Sequence, residues 1–581
     1  MTWTPSDKPS VTLADSPIEE MSKNERIKVA SQGLFYLAGG AGTFAAQIDA
    51  LSKGEIETID NEAKELSKFF GIYRQQVRGE RGRKTGDHVF MVRIKCPAGG
   101  ELSAKQWAAI DDVADLFADG TLRVTSRQGI QYHYVFGPKL APLVRHLNRH
   151  YRDEATLSAC GDVNRNVMAS PVDGLVGPGD PRGRELAHAI ASELAPRTSS
   201  YFQVFLSDDA ARTVKPMHSD EPLYGAHYLP RKFKVGIAHP DDNSIDVLTQ
   251  DVGLVPVLVD GVADGSTWDL YSGGGLGQTH NSPQTAPLLG LFLGRIARDQ
   301  VIDAVKAIAI LQNEHGERRD RRLARWKYTI RRLGIEAVKK SLRERFAICL
   351  ADVEPQTLAP GRLFLGFHDS LDGSGCYGIS VENGRIKPPL RKAIREAVET
   401  LGLRVRLTAH QDVLLCGVTD RAALLAILDR HGVAKSESIS HARSLGIACP
   451  AKPTCGLAMT DAENVLPGWF DAIEAAGLGD VDLEIRMTGC PNNCARPPSA
   501  EVGIFGYGKN DHVLLIGGAR NGSRLGTPLY ARISGQQMIP ALVGLFRTVK
   551  QRCPSDIAPG EWLAQQDHAQ LRAWIGVEGI A

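Results

Sequence analysis

Four cysteines in the last third of the chain have the residue type and spacing of a metal-ligand set. Cys449 and Cys455 form a C-x5-C pair, Cys490 and Cys494 form a C-x3-C pair, and 34 residues separate the two pairs. Four thiolates can hold an iron–sulfur cluster or a structural zinc ion. Zinc sites typically place about two to four residues inside a pair, so the longer gap favours the cluster. A disulfide and plain buried thiols are the remaining alternatives.

Length and composition are those of a multidomain globular protein. A chain of 581 residues exceeds one hydrophobic core, so we expect roughly two to four domains. The net charge of +1 argues against a nucleic-acid-binding protein, whose binding face would be basic. We find no run of about 18 apolar residues and no apolar segment of a secretory signal, so no membrane partner is expected. Ten cysteines are too few for a disulfide framework, which predicts a reducing, cytoplasmic location.

The order of predicted elements indicates an internal duplication. His88–Cys96 alternates like a strand, Ser103–Ala118 has helical spacing and Thr121–Phe136 is again strand-like, which makes a β-α-β module. A similar order returns after Arg362. A duplicated chain can enclose a large cofactor between its halves.

Three motif pairs support the duplication. At an offset of 283, residues of the first half match residues of the second: Arg123 with Arg406, Thr125 with Thr408, and Gln128 with Gln411. The motif G-D-V-N-R-N, after Cys160, is paired with T-G-C-P-N-N, which places Asn164, Arg165 and Asn166 near the counterpart of the cysteines. K-V-G-I at residues 234–237 is paired with E-V-G-I at residues 501–504.

Several basic residues of the first half lie in short polar motifs. Arg93 and Lys234 stand in strand-like runs with apolar neighbours, and a cation in such a place needs an anionic partner. Arginine suits forked carboxylate recognition and lysine suits a compact anion. This half is therefore predicted to bind a polycarboxylate cofactor and a small oxyanion, although any single cation could be a solvated surface charge. The glycine-rich segment Tyr271–His280 predicts either close approach of backbone to a ligand or a tight turn.

The motifs T-G-C-P-N-x-C and C-x5-C, with N-R-N-V, L-P-R-K-F-K and R-x-T-x-R-Q upstream, together resemble the sirohaem/[4Fe–4S] sulfite and nitrite reductases. The resemblance runs from about Lys68 to about Gly517. It implies an α+β fold of duplicated architecture, in which two ferredoxin-like modules form one domain and two α/β domains bind the cofactors. The expected bounds are 1–65 for an N-terminal arm, 66–150 and 346–435 for the ferredoxin-like modules, and 151–345 and 436–581 for the α/β domains.

The resemblance also implies roles for single residues. The four cysteines would ligate a [4Fe–4S] cluster, and Cys494 would also bridge to the sirohaem iron. Tyr73 and Cys160 match positions that are covalently linked in some members of the family. Asn493 replaces a glycine that many relatives have, and asparagine tolerates a positive φ there. The implied substrate-contacting residues are Arg93, Arg165, Lys232 and Lys234, and the implied sirohaem-binding residues are Arg123, Arg127, Gln131, His133, Arg231 and Arg325.

The resemblance implies an assimilatory sulfite reductase that reduces sulfite to sulfide by six electrons. Cations would bind the anion and polarise its S–O bonds. Lys234 favours sulfite, because nitrite enzymes of the family tend to carry asparagine there, and a ferredoxin-dependent nitrite reductase is the alternative. The sequence shows no flavin or nicotinamide motif, so the electron donor is expected to be a separate protein, either ferredoxin or an NADPH-dependent flavoprotein subunit. A zinc-stabilised scaffold without redox activity and a sirohaem carrier without turnover are remoter alternatives.

Overall fold

The computed structural model describes residues 11–15, 17–30, 38–78, 84–150, 156–157, 161–197, 221–225 and 227–580. In these ranges the strands are β1 Ile72–Arg78, β2 Lys84–Lys95, β3 Leu122–Val124, β4 Gly129–Val135, β5 Thr156–Leu157, β6 Asn164–Ala169, β7 Phe233–Ile237, β8 Val252–Pro256, β9 Thr267–Ser272, β10 Leu291–Ala297, β11 Gly366–Asp369, β12 Gly375–Ile379, β13 Arg385–Ile386, β14 Arg404–Leu407, β15 Val413–Val418, β16 Ile447–Ala448, β17 Ile485–Thr488, β18 Val502–Gly506, β19 Asp511–Ile516 and β20 Thr527–Ser534.

The helices of the same ranges are α1 Lys23–Ala30, α2 Ala38–Lys53, α3 Asn61–Ser67, α4 Ala104–Phe117, α5 Gly137–His150, α6 Gly183–Glu193, α7 Arg298–His315, α8 Trp326–Leu333, α9 Ile335–Phe346, α10 Pro388–Leu401, α11 Arg421–Arg430, α12 His441–Ser444, α13 Leu466–Ala475, α14 Gly535–Arg552, α15 Pro559–Gln565 and α16 His568–Ile575. None of the helices described here is both long and apolar enough to cross a membrane.

Two antiparallel sheets form the first structural unit. One has the strand order β1-β2-β4-β3-β13, with β5 pairing with β2, and the other has the order β11-β12-β15-β14. Strand β13 comes from the second half of the chain but pairs with β3, and a bridge joins Leu102 to Val405. Helices α4 and α10 pack against each other, and residues from both sheets share one hydrophobic core. The two modules are therefore joined by backbone pairing as well as by packing.

Two five-stranded sheets of identical topology form the rest. Their orders are β10-β9-β8-β7-β6 and β16-β17-β18-β19-β20. In each, the first three strands along the chain run parallel, the last two pair antiparallel, and an 18-residue helix follows, α7 in one half and α14 in the other. The duplication and the α+β class expected from the sequence are confirmed.

Strand register shows that the alignment of K-V-G-I with E-V-G-I was wrong. Residues 235–237 of β7 pair with residues 252–254 of β8, as residues 485–487 of β17 pair with residues 502–504 of β18. The counterpart of E-V-G-I is therefore D-V-G-L at residues 251–254, at an offset of 250. The mistake arose because a short motif of small and branched residues suits any buried parallel strand.

The pairing of G-D-V-N-R-N with the cysteine motif was wrong for the same reason. Met168 pairs with Gly236 as Ile447 pairs with Arg486, so Ser170, just after β6, is the counterpart of Cys449. The offset of 250 makes Ser244 the counterpart of Cys494. Ser170 and Ser244 donate hydrogen bonds to Asp242 at 2.5 and 2.9 Å. The positions of Cys449 and Cys494 are thus taken in the first half by two serines that are hydrogen-bonded to a carboxylate. Arg165, in β6, is not at either position.

The offset of 283 between the two modules holds in the structure. Gln128 and Gln411 both have positive φ, 52° and 73°. The side chain of Gln128 donates to the carbonyls of Ala169 at 2.7 Å and Leu407 at 3.1 Å, and it accepts from the amide of Ala169 at 3.1 Å. The Gln411 side chain reaches back to the carbonyl of Val124 at 3.5 Å. Each glutamine side chain therefore reaches a carbonyl of the opposite module, and Gln128 makes more hydrogen bonds than Gln411 does.

We predict that Gln128→Ala destabilises the protein more than Gln411→Ala does. The first change leaves buried backbone groups of Ala169 and Leu407 without partners, at a cost of about 2 to 4 kcal/mol, whereas the second removes one long contact worth about 1 kcal/mol or less. Both positions have positive φ, so the backbone penalty for alanine is common to the two variants. Urea unfolding of the two variants measures the difference, and equal stabilities would contradict the prediction.

Candidate functional site

A row of polar and cationic side chains crosses the first sheet. Arg93 on β2 pairs with Gln131 on β4, Gln131 pairs with Arg123 on β3, and Arg123 pairs with Arg385 on β13. Directly paired residues of a sheet point to the same face, so the row lies on one side. His133 follows two residues after Gln131 and belongs to the same face. Strand register thus brings together four of the residues singled out in the sequence.

Neighbouring groups fix the two ends of this row. Arg93 lies over the ring of Tyr73 at 5.4 Å, and the amide oxygen of Gln131, oriented towards Arg93, accepts from its Nε at 3.2 Å. His133 is buried, and burial together with Arg385, Arg123 and Arg93 holds its pKa well below the usual histidine value. A neutral imidazole among three cations can donate a hydrogen bond to the edge of an anionic ligand without adding positive charge to the site.

Arg123 connects this sheet to the segment that carries the first cysteine. Its Nε lies 3.2 Å from Glu463, and its Nη2 donates to the carbonyls of Asn383 at 3.0 Å and Ala448 at 2.7 Å. Ala448 precedes Cys449. The described contacts of Arg123 therefore go to protein groups behind the cysteine, and its role toward a sirohaem carboxylate stays a prediction from the family resemblance.

A second group of cations surrounds a single carboxylate, Asp251. Arg325 Nη2 lies 3.2 Å from both oxygens of Asp251, and the backbone amide of Lys234 donates to it at 2.8 Å. Arg127 donates to the Gln250 side chain at 2.7 Å and to the Asn166 carbonyl at 3.1 Å. Sequence reasoning missed Asp251, although the D-V-G-L and E-V-G-I motifs in correct register would have pointed to it.

Electrostatics show that this second group has a surplus of positive charge. The pKa of Lys234 is held well below its ordinary value by burial and then by Arg325 and Arg127, with Asp251 acting in the opposite direction. Burial and the neighbouring Arg165 likewise lower the pKa of Arg127. Asp251 carries one negative charge among these cations, and positive charge that is removed from water and is not balanced is costly. The arrangement is suited to an anionic ligand.

Arg231 and Lys232 lie just before β7. The carbonyl of Arg231 accepts a hydrogen bond from Gln312 at 2.9 Å, and its charge acts on the buried carboxylate of Asp162. Both residues are half-buried, whereas Phe233 beside them is fully buried. Lys232 directly precedes β7 and Lys234 is the second residue of that strand. Both lysines therefore lie at the start of β7, where the backbone amide of Lys234 contacts Asp251.

The four cysteines come from two loops that meet at one place. The sulfur of Cys449 accepts from the Gly489 amide at 3.3 Å, and that of Cys490 accepts from the Asn492 side chain at 3.4 Å. Burial and the neighbouring thiols of Cys494 and Cys455 raise the pKa of Cys490 to about 12, and the pKa of Cys449 is also raised, by burial and by the other three cysteines. These thiols therefore lose their protons when a metal binds.

The four cysteines lie close enough together to act on one another electrostatically. Within the described ranges, no group of three or more His, Cys, Asp or Glu side chains has the arrangement of a single-ion site. Four thiolates from two loops are the ligand set of a four-iron cluster and also of a tetrahedral zinc site.

The first half clamps the loop that carries Cys490 and Cys494. Ser126 Oγ donates to the carbonyl of Cys494 at 2.7 Å, and the Gln278 amide donates to the carbonyl of Pro491 at 2.9 Å. Asn493 donates to the carbonyl of Leu276 at 2.9 Å and has a φ of 53°, so the replacement of glycine at this position is accommodated. The glycine-rich segment Tyr271–His280 thus contacts the cysteine loop, and its close approach to a ligand stays a prediction.

Several buried donors at this junction have no hydrogen-bond partner among the described residues. They are the Nε atoms of Arg127 and Arg325, Nε2 of His133 and Nδ2 of Asn164. A large ligand that carries carboxylates would satisfy such donors. The residues present therefore fit a polycarboxylate cofactor beside a four-thiol site.

Comparison with known proteins agrees with this geometry. The family described as nitrite and sulphite reductase 4Fe-4S domain matches residues 160–349, and the nitrite/sulfite reductase ferredoxin-like half domain matches residues 81–150 and 368–431. The chain is 35% identical over 573 residues to a sulfite reductase [NADPH] hemoprotein beta-component of Chromohalobacter salexigens, covering 94% of this chain and 95% of that one. This chain belongs to the nitrite and sulfite reductase family. A sulfite reductase [ferredoxin] of Synechococcus elongatus is 36% identical, over 92% of this chain and 87% of that protein.

A solved structure shows the same fold. The Mycobacterium tuberculosis NirA protein superposes with a TM-score of 0.77 at 20% identity and covers 97% of this chain and 99% of its own. The two half-domain matches fall inside the predicted modules 66–150 and 346–435, whose exact bounds stay predictions. Cys160 lies outside the described residues, so its link to Tyr73 also stays a prediction.

We predict that Lys234 makes the anion-free protein more stable as the pH rises. Below the ordinary lysine value of 10.5 the unfolded chain holds this proton, whereas the folded protein, whose Lys234 pKa is lowered, releases it earlier. The unfolded state then binds more protons, so unfolding becomes harder with rising pH, by up to about 1.4 kcal/mol per pH unit. Urea unfolding of wild type and Lys234→Met, from neutral pH to pH 10 without sulfite, measures this slope. Parallel curves for the two proteins would contradict the prediction.

Proposed function

We propose that this chain is a sulfite reductase, which reduces sulfite to sulfide with six electrons. The observation that carries the proposal is the surplus of cations around Asp251 next to a four-cysteine site held by both halves of the chain. The names of the relatives from Chromohalobacter and Synechococcus, both sulfite reductases, support it.

The residues present fit two cofactors. Cys449, Cys455, Cys490 and Cys494 would hold a [4Fe–4S] cluster, and sirohaem would lie between the cation groups and the cysteine loops. Sirohaem and the cluster, when bound, supply the electron chemistry. Arg127, Gln131, His133, Arg231 and Arg325, with Arg123 behind them, would bind and orient the sirohaem carboxylates.

The cations of the substrate side bind the anion and supply protons. Arg165 and Lys234 act on the same buried charge group, so a doubly charged oxyanion would relieve their mutual repulsion. A lysine whose pKa is lowered by burial and by neighbouring cations, as that of Lys234 is, gives up its proton readily to an oxygen that is leaving as water. Arg93 and Lys232 would complete the positive lining of the site. Their attraction for the anion would become stronger as negative charge develops on its oxygens.

Electrons would come from a separate protein, since relatives are named for NADPH in one case and ferredoxin in another. We propose the run of cations at residues 74–84, of which residues 79–83 lie outside the described ranges, as a docking site for an acidic ferredoxin, with a sirohaem-facing role or a solvated surface as the alternatives. Arg74 of this run donates to the Ile59 carbonyl at 2.5 Å and to Asn61 at 2.9 Å, so it also fixes the arm ahead of β1. The choice of donor and the cytoplasmic location stay predictions.

A nitrite reductase is the second candidate, favoured by the family match itself, which names both activities. The two can be separated at Lys234. We expect the purified holoenzyme, with reduced methyl viologen, to have a higher kcat/KM for sulfite than for nitrite.

We predict that Lys234→Asn lowers kcat/KM for sulfite by about 100-fold or more, because it removes a charge that acts on the developing oxide. The loss for nitrite should be smaller, since a singly charged anion depends less on the additional cation. Lys340→Asn, at an exposed position of α9, is the matched control and should match wild type. An equal loss for both substrates would mean that Lys234 does not set the preference, and a wild-type preference for nitrite would refute the sulfite assignment.

We predict that Cys455→Ser abolishes the iron–sulfur cluster, because a serine oxygen is a poor ligand for the site's irons. Iron and sulfide per chain and the spectrum of the reduced cluster measure the effect. Cys349→Ser, at an exposed cysteine away from the four, is the control and should keep full iron content. Stoichiometric zinc in the wild-type protein, with no iron or colour, would instead support the scaffold alternative.

A further inference from the structure

A buried ion network joins the N-terminal helix α1 to the segment that carries the substrate-side cations. Lys28 Nζ lies 2.6 Å from Glu25 and 3.0 Å from Asp162. Arg318 pairs with Glu25, and Arg321 makes a two-pronged contact with Asp162 at 2.9 and 3.0 Å. The side chains of the first four are between 0% and 3% exposed. Such burial is unusual for charged residues and indicates a specific role.

The three cations of this network also hold three consecutive backbone carbonyls. Each carbonyl has its own donor: Tyr228 accepts from Arg318 at 2.8 Å, Leu229 from Lys28 at 2.8 Å and Pro230 from Arg321 at 3.3 Å. Arg231 and Lys232 follow directly. The direction in which the chain enters β7, and with it the placement of Lys234, is therefore set by charges outside the site.

The network reaches the other cation-bearing strand as well. The Leu229 amide donates to the Asp162 carbonyl at 2.8 Å, and the Phe233 amide donates to the Val163 carbonyl at 3.0 Å. Residue 164 then begins β6, which carries Arg165. Asp162 thus ties the start of β6 to the approach to β7, and Lys28 and Arg321 hold its carboxylate between them.

Helix α1 supplies one carboxylate and one cation of the five charges. Glu25 is the described carboxylate partner of Arg318, and Lys28 is shared by Glu25, Asp162 and the Leu229 carbonyl. Loss of either would leave buried charge uncompensated next to the three carbonyls. A second contact between arm and core, Glu20 with Arg319, is about half exposed at both ends and touches none of these carbonyls.

We propose that helix α1 is a positioning element of the sulfite site, in which Glu25 and Lys28 complete the ion network that fixes the approach to Arg231, Lys232 and Lys234. The inference rests on the proposed function, because it concerns the placement of the residues assigned to sulfite. Glu25 and Lys28 are positioning residues, since they act through Tyr228, Leu229 and Pro230.

The test compares holoenzyme carrying Lys28→Met or Glu25→Gln with wild type. Misplacement of the cations should raise KM for sulfite by about 10-fold and should also lower kcat per sirohaem with reduced methyl viologen, because the same cations act on the charge that develops on the oxygens. The dissociation constant of sulfite, read from the sirohaem absorption, should rise by the same factor. Glu20→Gln, at the exposed contact of the same arm, is the control and should keep the wild-type KM. A merely structural role would lower the melting temperature and the active fraction while KM stayed constant.

The outcomes separate the inference from the proposed function. Wild-type holoenzyme without activity on sulfite refutes the function, whereas an active wild type with unchanged KM in both variants overturns the inference alone. Should neither variant accumulate as holoenzyme, native-state hydrogen exchange of wild type decides. The α1 amides and those of Leu229 and Phe233 should then open together as denaturant is added, and opening of α1 while those amides remain protected would overturn the proposal.

Discussion

Positive charge exceeds negative charge where the two halves meet, around half-buried cations and one buried carboxylate. Arg127, Arg165, Lys234 and Arg325 lie around one buried carboxylate, Asp251, and removal from water, followed by the repulsion among these cations, lowers the pKa values of Lys234 and Arg127. A folded protein tolerates such an arrangement only if an anion completes it or if rigid surroundings hold the cations in place. The rows of paired strands and the backbone carbonyls beside them supply that rigidity, so stability and binding of an anion are two consequences of one arrangement.

Some of this could be predicted from the sequence. The four cysteines and the β-α-β modules could be recognised because ligand spacing and hydrophobic periodicity are local properties of the chain. The match of Gln128 with Gln411 also holds in the structure, since both residues have positive φ in corresponding turns of the two modules. Asp251 and the row from Arg93 to Arg385 could not be predicted, because each depends on strand register, which short motifs of small residues leave undetermined.

The halves remain in contact at matching positions, which explains how a duplication could diverge. Asp246 and Arg496, related by the offset of 250, both have positive φ and both begin a short 3₁₀ turn. They lie 3.2 Å apart as a buried ion pair. A charged residue that meets its own counterpart must differ from it in charge, since like charges in contact would repel. At this contact the two halves therefore differ in sequence while their backbone symmetry is preserved.

The same reasoning explains why only the first half suits an anion. The Lys234 amide donates to Asp251 as the amide of its counterpart Glu484 donates to Glu501, at 2.8 and 3.0 Å. In the second half the charges are balanced within the protein: Glu484 lies 2.8 Å from Arg486, and Glu501 lies 2.6 Å from Arg520. In the first half, Lys234 stands at the position that corresponds to Glu484. The same backbone geometry therefore carries balanced acidic and basic side chains in the second half and an excess of cations in the first. The second half, whose charges are balanced within the protein, carries the four cysteines. The first half, with its excess of cations, requires an anionic ligand.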